Sequence, residues 1–256
     1  MTVNAEGRGP FAIVVDHASN RIPPSWGDLG LPASERIRHI AWDPGALAVS
    51  LRLSELLDAP MVQSTVSRLV IDCNRDLDAP DLVPKISELT EIPGNQAVTD
   101  LGLRVTAAHA PFHSAIEDLL DARQRAGLET ILVCMHSFTP RYKGKQRPWP
   151  IGLIHARDAR YTSALRDALA TDALDLNIGW NEPYSALNGV TYTLEHHGDG
   201  RGLEATMIEI RNDEILEPNG VAQWAARLAR CLEAARLTRA ESPVVLGATT
   251  GQHQGA

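Results

Sequence analysis

The chain has 256 residues, of which 44% are hydrophobic and 22% charged, so it can form a sizeable core within one domain spanning residues 1–256. Its formal net charge of -8, from 32 acidic and 24 basic residues, disfavours nucleic acid and anionic membranes as partners. No stretch approaches the ~18 consecutive apolar residues of a membrane span, and the first residues lack the pattern of a secretory signal, so we expect a cytoplasmic protein.

Short apolar runs alternate with segments of helical spacing, which predicts a layered α/β domain. Strands are predicted at 11–15, 69–71, 131–135, 151–154 and 205–210, and helices at 44–57, 107–126, 161–173 and 221–237. The segments 76–100 and 139–150 have no clear period and are predicted to be long loops, which often bind ligands. Residues 241–256 contain little that could pack against a core and are predicted to be a flexible tail.

Polar residues follow three of the predicted strands. The run 11–15 is followed by Asp16 and His17, the run 69–71 by the string Asp-Cys-Asn-Arg at 72–75, and the run 131–135 by His136. Because the carboxyl ends of strands line the binding crevice of open α/β sheets, these side chains could converge on one site. The alternative is that polar residues simply mark the end of each strand.

Glu209 lies between the apolar residues Ile208 and Ile210 of the last predicted strand. A carboxylate in such surroundings loses solvation, which raises its pKa toward the range of a general base. The alternative is a structural ion pair with Arg211 or Arg75.

Two histidines, a carboxylate ligand and a separate carboxylate base together form the set of groups that a mononuclear zinc hydrolase needs. The three cysteines are widely spaced in apolar runs, which predicts buried free thiols rather than disulfides or a thiolate metal site. Spacing does not rank the other histidines that compete for the ligand role, which are His39 (four residues before Asp43), His109, His113, His196 and His197.

Six separated strings, in order VDHASNRIP, HIAWDPGA, SRLVIDCNRD, MHSFTP, NEPYS and IEIRND, resemble the N-formylglutamate amidohydrolase family. The resemblance runs from about residue 11 to about residue 236. That family is similar in turn to the zinc carboxypeptidases and to the succinylglutamate desuccinylase and aspartoacylase group. The implied fold is a three-layer α/β/α sandwich with a mixed, mostly parallel sheet, of the phosphorylase/hydrolase-like type seen in zinc carboxypeptidases.

The resemblance implies one Zn²⁺ ion per chain. His17 resembles the first histidine of the carboxypeptidase His-x-x-Glu motif, and His136 resembles the last zinc ligand. The chain departs from that motif at Asn20, where carboxypeptidases have Glu and where an amide is a poor zinc ligand. Asp43 is our candidate for the remaining ligand. The alternative is ligation by Asn20, with Asp43 or Asp16 orienting a ligating histidine from behind.

The resemblance also assigns roles around the metal. Glu209 resembles the general base, and Asn74 with Arg75 resembles the pair that holds a substrate carboxylate. Arg68 would polarise the substrate carbonyl, or else form a surface ion pair. Tyr184 would lie in a loop that closes over substrate, or else in a turn set by the preceding proline. The string RPW at 147–149 indicates either a loop anchor or a specificity wall.

These features together predict a metal-dependent enzyme that hydrolyses the N-formyl or small N-acyl amide of an acidic amino acid, with N-formyl-L-glutamate as the type substrate. The expected partner is thus a small anionic molecule derived from an amino acid. Another N-acyl amino-acid deacylase or a metallopeptidase would use the same groups, and the volume of the acyl pocket discriminates between them. A non-catalytic metal or amino-acid binding protein is the alternative of a different class, and it would not need a buried base.

Overall fold

A seven-stranded mixed sheet forms the centre of the computed structural model, which describes residues 1–184 and 189–240. The strands in chain order are β1 (Thr2–Val3), β2 (Phe11–Val15), β3 (Met61–Gln63), β4 (Ile86–Ser87), β5 (Thr90–Glu91), β6 (Ile131–Phe138), β7 (Arg141–Tyr142), β8 (Lys145–Gln146), β9 (Ile151–Ile154), β10 (Ile178–Trp180) and β11 (Glu204–Arg211). The order in the sheet is β1-β3-β2-β6-β11-β9-β10. The four central strands β3, β2, β6 and β11 are parallel, β1 and β9 are antiparallel to their neighbours β3 and β11, and β10 is parallel to β9.

Helices cover both faces of this sheet, which confirms the predicted α/β/α sandwich. They are α1 (Ala33–Arg36), α2 (Ala46–Leu56), α3 (Leu101–Arg104), α4 (Ala110–Arg125), α5 (Arg160–Asp172) and α6 (Pro218–Ala240). Helices α2, α5 and α6 pack on one face, and α4 packs on the other. The four helices predicted from apolar spacing correspond to α2, α4, α5 and α6. None of the helices in the described ranges is both long enough and apolar enough to cross a membrane.

The face of the sheet that packs against α4 carries the polar residues of interest. Side chains alternate between faces along a strand, so the apolar rows of β2, β6 and β11 on this face end in Asp16, His136 and Glu209. Glu209 and His136 are register partners in the β6–β11 ladder. The fold therefore brings three charged or titratable side chains to one edge of the core.

The predicted strand at 69–71 is wrong. Leu69 and Ile71 are buried, but they belong to a turn that packs in an apolar cluster beneath the loops, together with Leu29 and Ile92. The strand beside β2 is β3, which the sequence analysis missed. A short apolar run indicates burial and does not indicate which layer buries it.

The two predicted long loops are mainly irregular, and each contains a small hairpin. The hairpin β4–β5 lies in the first loop and β7–β8 in the second. The predicted tail at 241–256 lies outside the described residues.

Candidate active site

His17, Asp43 and His136 bring three potential metal-ligating atoms within 4.8 Å of one another. The Nδ1 atom of His136 lies 2.9 Å from Oδ2 of Asp43, and Nδ1 of His17 lies 3.3 Å from the same oxygen. All three residues are buried. Two imidazoles and a carboxylate, with room for a fourth ligand, form the donor set of a catalytic zinc site. The geometry thus fits the metal that the sequence implies.

The position of Asp43 depends on a close backbone approach at the start of α2. The Asp43 N–H donates to the carbonyl of His17 over 3.0 Å, which ties the two ligand-bearing segments together. Gly45 follows in the left-handed region at φ 85°, and a Cβ there would lie 2.5 Å from the carbonyl oxygen of Ile215. This turn therefore requires glycine, and it fixes Asp43 against the histidines.

Two further carboxylates lie behind the two histidines. Oδ1 of Asp72 accepts a hydrogen bond from Nε2 of His17 over 2.7 Å, and Oδ2 of Asp16 lies 3.2 Å from Nε2 of His136. The Thr193 hydroxyl donates to the other oxygen of Asp16. Carboxylates behind metal-ligating histidines fix the ring orientation and make the other nitrogen a better ligand. Each histidine therefore presents Nδ1 to Asp43.

These carboxylates also set the protonation of the histidines. Burial and the charge of Arg68 lower the pKa of His17, but the carboxylates of Asp72 and Asp43 outweigh them and raise it. Burial also opposes the charged form of His136, yet Asp16 and Asp43 raise its pKa well above the usual value. A cation bound between the Nδ1 atoms would displace these protons, so metal affinity should rise with pH.

The geometry favours Asp43 over Asn20 as the third ligand. The Asn20 amide donates to the carbonyl of Arg36 over 3.1 Å and does not line the cavity described below. Of the competing histidines, His39 lies at the cavity rim, with Nε2 3.3 Å from a carboxylate oxygen of Glu88. The other four form a separate cluster that is described below.

Glu209 is a buried carboxyl beside this metal-ligand cluster. It is 4% exposed, and its Oε2 has no hydrogen-bond partner in the described part of the chain. Burial is the main cause that raises the pKa of Glu209 to about 7. The charge of His136 opposes this rise, and the charge of Asp43 adds to it. The alternative ion pairs are not formed, because Arg211 pairs with Asp213 and Glu214, and Arg75 with Asp81. Glu209 therefore has the environment of a general base.

Gly152 allows another segment of the chain to pack against the strand beside Glu209. It is the register partner of Glu209 in the β9–β11 ladder, and a Cβ there would collide with the carbonyl of Glu182. Because Gly152 has no side chain, the backbone at Glu182 and Pro183 can cross directly over the strand. This crossing segment leads to Tyr184, which lines the cavity.

Arg68 interacts with the ligand network rather than with solvent. Its Nη2 lies 2.8 Å from Oδ2 of Asp72, and its Nη1 lies 3.5 Å from Oδ1 of Asp43. Burial opposes the charge, but these carboxylates raise the pKa of Arg68 above its usual value. The surface ion pair considered from the sequence is thus replaced by an ion pair in the wall of the site.

Asn74 and Arg75 lie at the cavity wall on an irregular segment, not at the end of a strand. The Asn74 amide donates to the carbonyl of Val190 over 2.5 Å and accepts from the Thr193 N–H over 3.1 Å, so it holds two segments together. Arg75 donates from Nε to Asp81 over 2.9 Å. The Asp81 side chain is 56% exposed, so an incoming carboxylate can replace it on the guanidinium.

Two histidines fix the backbone of this segment from behind. Nε2 of His113 donates to the carbonyl of Cys73 over 2.9 Å, and Nε2 of His109 donates to the carbonyl of Arg75 over 3.0 Å. The Nδ1 atom of neutral His113 then accepts a hydrogen bond from Nε2 of His197 over 2.9 Å. Burial and the neighbouring histidines lower the pKa of His113 to about 4 and that of His197 to about 3.

Sequence reasoning treated these histidines as possible metal ligands because spacing alone cannot show a hydrogen bond to a loop carbonyl. A π-helical turn at Val105–His109 precedes α4 and sets the direction of the His109 side chain. No sequence signal marked this turn. The cluster also includes His196, whose ring stacks on Tyr192.

A cavity of about 210 Å³ joins these features. It is lined by every predicted site residue except Asn20, namely His17, Asp43, Arg68, Asn74, Arg75, His136, Tyr184 and Glu209. Its volume can hold a small amino-acid derivative.

An α/β/α hydrolase is the class of protein that this fold and its buried acid–base site define. The model of the family N-formylglutamate amidohydrolase matches residues 9–216. The chain belongs to the N-formylglutamate amidohydrolase family, which confirms the resemblance seen in the sequence.

Two solved structures are similar over nearly the whole chain. The gene product Atu2144 from Agrobacterium tumefaciens has 40% sequence identity and a TM-score of 0.91, and the alignment covers 94% of this chain and 96% of that one. An N-formylglutamate amidohydrolase from Ralstonia eutropha JMP134 has 18% identity and a TM-score of 0.68, with 91% and 95% covered. The second likeness shows the shared fold. No curated protein matches the chain.

Proposed function

We propose that this protein is a zinc-dependent deformylase that cleaves an N-formyl acidic amino acid, with N-formyl-L-glutamate as the type substrate. The products are formate and glutamate. The observation that carries the proposal is the buried Glu209 carboxyl, whose Oε2 has no partner in residues 1–184 and 189–240, beside three converging metal-ligand side chains. Family membership and the substrate named for the Ralstonia eutropha neighbour support this reaction.

His17, Asp43 and His136 would hold the metal, with Asp72 and Asp16 orienting the two imidazoles. A bound Zn²⁺ supplies a Lewis acid that polarises the formyl carbonyl and lowers the pKa of water to about 7. The ring positions are already fixed by the protein, so the ligands need little rearrangement.

Glu209 would take the proton from the attacking water at its buried Oε2 atom and transfer it to the departing amine nitrogen. With a pKa of about 7, the carboxyl is partly ionised near neutral pH and can both accept and donate this proton. Because Glu209 is buried, it would pass this proton to the departing amine rather than to bulk water.

Arg75 would bind the α-carboxylate of the substrate by exchanging Asp81 for it. Asn74 fixes the segment that carries this arginine, so its role is to position rather than to contact substrate. Arg68 lies close enough to the ligand cluster to add a charged hydrogen bond to the carbonyl oxygen, and Tyr184 forms part of the cavity wall.

The other functions considered have less support. A cavity of about 210 Å³ can hold a small N-formyl amino acid, and the family match supports the formyl group over larger acyl groups. A protein that only binds a metal or an amino acid has no need of a buried base next to the ligands.

Formate release from a panel of N-formyl amino acids, measured with the zinc-loaded protein, tests this proposal. We expect N-formyl-L-glutamate to be hydrolysed and N-acetyl-L-glutamate to react more slowly, with Glu209→Gln as the inactive control. Hydrolysis of acetylated or longer acyl substrates in preference to formylated ones would overturn the choice of acyl group. Activity that survives chelation and leaves the protein metal-free would overturn the metal.

A further inference from the structure

Arg147 is a buried arginine held against three aromatic rings of the cavity wall. Its guanidinium carbon lies 4.6 Å from the ring centroid of Tyr142, 4.8 Å from that of Tyr184 and 5.6 Å from that of Phe138. All three rings line the cavity, and Arg147 itself is 9% exposed. The guanidinium therefore lies directly behind the aromatic part of the wall.

Arg147 forms no close ion pair with an acidic side chain of residues 1–184 and 189–240, and its buried Nη1 atom has no hydrogen-bond partner there, although its charge opposes the rise in the pKa of Glu209. The two arginines that line the cavity differ, since Arg68 pairs with Asp72 and Arg75 with Asp81. Stacking on aromatic faces offsets part of the cost of burying the guanidinium. A guanidinium that no neighbouring carboxylate binds directly still attracts an anion in a wall of low dielectric.

The position of Arg147 is fixed by its backbone at the base of the β7–β8 hairpin. Its N–H donates to the carbonyl of Pro140 over 2.9 Å, and its own carbonyl accepts from Nη1 of Arg211 over 3.5 Å. The charge is thus already in place before any ligand arrives. It comes from a different loop than Arg75.

We propose that the part of the cavity in front of Phe138, Tyr142 and Tyr184 is the subsite for the side-chain carboxylate of a dicarboxylic substrate, with Arg147 supplying the selecting charge. This inference rests on the proposed function, in which Arg75 takes the α-carboxylate. It names the residue that would make the enzyme prefer N-formyl derivatives of acidic amino acids over neutral ones. A purely structural role, in which Arg147 only holds the two tyrosines together, would not distinguish these substrates.

The test compares N-formyl-L-glutamate with N-formyl-L-glutamine, which differ only in the side-chain carboxylate. We expect the zinc-loaded enzyme to prefer the glutamate compound in kcat/KM, and Arg147→Gln to lose roughly 10²-fold on that compound and little on the other. Arg147→Lys, which keeps the charge but not the planar stacking, should retain part of the preference. Arg141→Gln, an exposed arginine on the same hairpin, should retain all of it.

Two results would overturn the subsite. One is an equal loss on both substrates in Arg147→Gln, and the other is a wild-type enzyme without preference for the acid. The affinities of the holoenzyme for L-glutamate and L-glutamine, measured by calorimetry, give the same comparison without catalysis. This measurement tests the subsite even if neither formyl compound is hydrolysed. If no formate is released but L-glutamate binds in preference to L-glutamine in an Arg147-dependent way, the proposed function is contradicted and the subsite is supported. If Arg147→Gln does not fold, the Arg147→Lys comparison carries the test.

Discussion

Replacing Glu209 by Gln should lower activity and, in the metal-free protein, raise stability at alkaline pH. Burial raises the pKa of Glu209 from 4.5 to about 7. A raised pKa means that the folded protein holds this proton more tightly than the unfolded chain. The stability that this proton contributes is complete below pH 4.5 and is lost as the pH rises to about 7. At ~1.4 kcal/mol for each pKa unit, the loss above pH 7 amounts to about 3 kcal/mol.

Urea unfolding of the chelator-treated wild type and Glu209→Gln at pH 5 and pH 8 would measure this effect. A neutral amide has no proton to lose, so the mutant should gain up to about 3 kcal/mol relative to wild type between the two pH values. Glu6→Gln, a change at an exposed glutamate, is the control and should follow wild type. In the zinc-loaded enzyme, Glu209→Gln should lower kcat by ~10²-fold or more and leave metal content intact.

Parallel stability curves for wild type and Glu209→Gln would refute the argument that burial controls this carboxyl. An active Glu209→Gln enzyme would show that another group removes the proton from water. The two readouts are independent, so either part of the reasoning can fail alone.

The purified protein should bind about one divalent ion per chain, and His136→Ala should lose both metal and activity. A metal content well below one ion per chain, together with turnover that a chelator does not reduce, would contradict the metal site. Arg75→Ala should lower kcat/KM by ~10²-fold or more, and Arg75→Lys should restore little because an ammonium lacks the forked geometry. When the α-carboxylate of the substrate is converted to an amide, the wild type should lose activity, whereas Arg75→Ala should lose almost nothing further. If both proteins show the same fold-loss between the acid and the amide, Arg75 does not bind that carboxylate. Gly152→Ala should displace the segment at Glu182, expose Glu209 and move the acid limb of the pH profile of kcat/KM below 7. An unshifted limb would show that the segment does not shield the base.

Hydrophobic periodicity predicted the elements whose packing is simple. The four long helices each present a repeated apolar stripe, and β2 and β9 have the predicted bounds because their runs are buried on both faces. The run Leu69–Val70–Ile71 is equally apolar, yet it packs under loops rather than in the sheet. The apolar residues of such a run predict that it is buried. Whether it joins the sheet or packs beneath the loops depends on the rest of the chain.

The candidate site was predictable to the extent that strand ends marked it. His17, His136 and Glu209 could be proposed because polar residues end or interrupt apolar strands. Asp43 lies on a connection before α2, so only the family resemblance suggested it. The charge partner of His17, Asp72, follows a segment mistaken for a strand, and no local pattern shows that Arg147 stacks on the aromatic rings of the cavity wall. Such relations between distant segments exist only after folding.

The histidines behind the Asn74–Arg75 segment keep their hydrogen bonds over a pH range in which Glu209 changes its charge. His113 and His197 have pKa values of about 4 and about 3, so they keep the same hydrogen bonds at every pH where the enzyme would work. Acidification from pH 8 to pH 5 therefore leaves the Cys73 carbonyl anchored while Glu209 gains its proton. We therefore expect turnover to fall in mild acid at a pH where the proposed substrate-binding segment still keeps its shape.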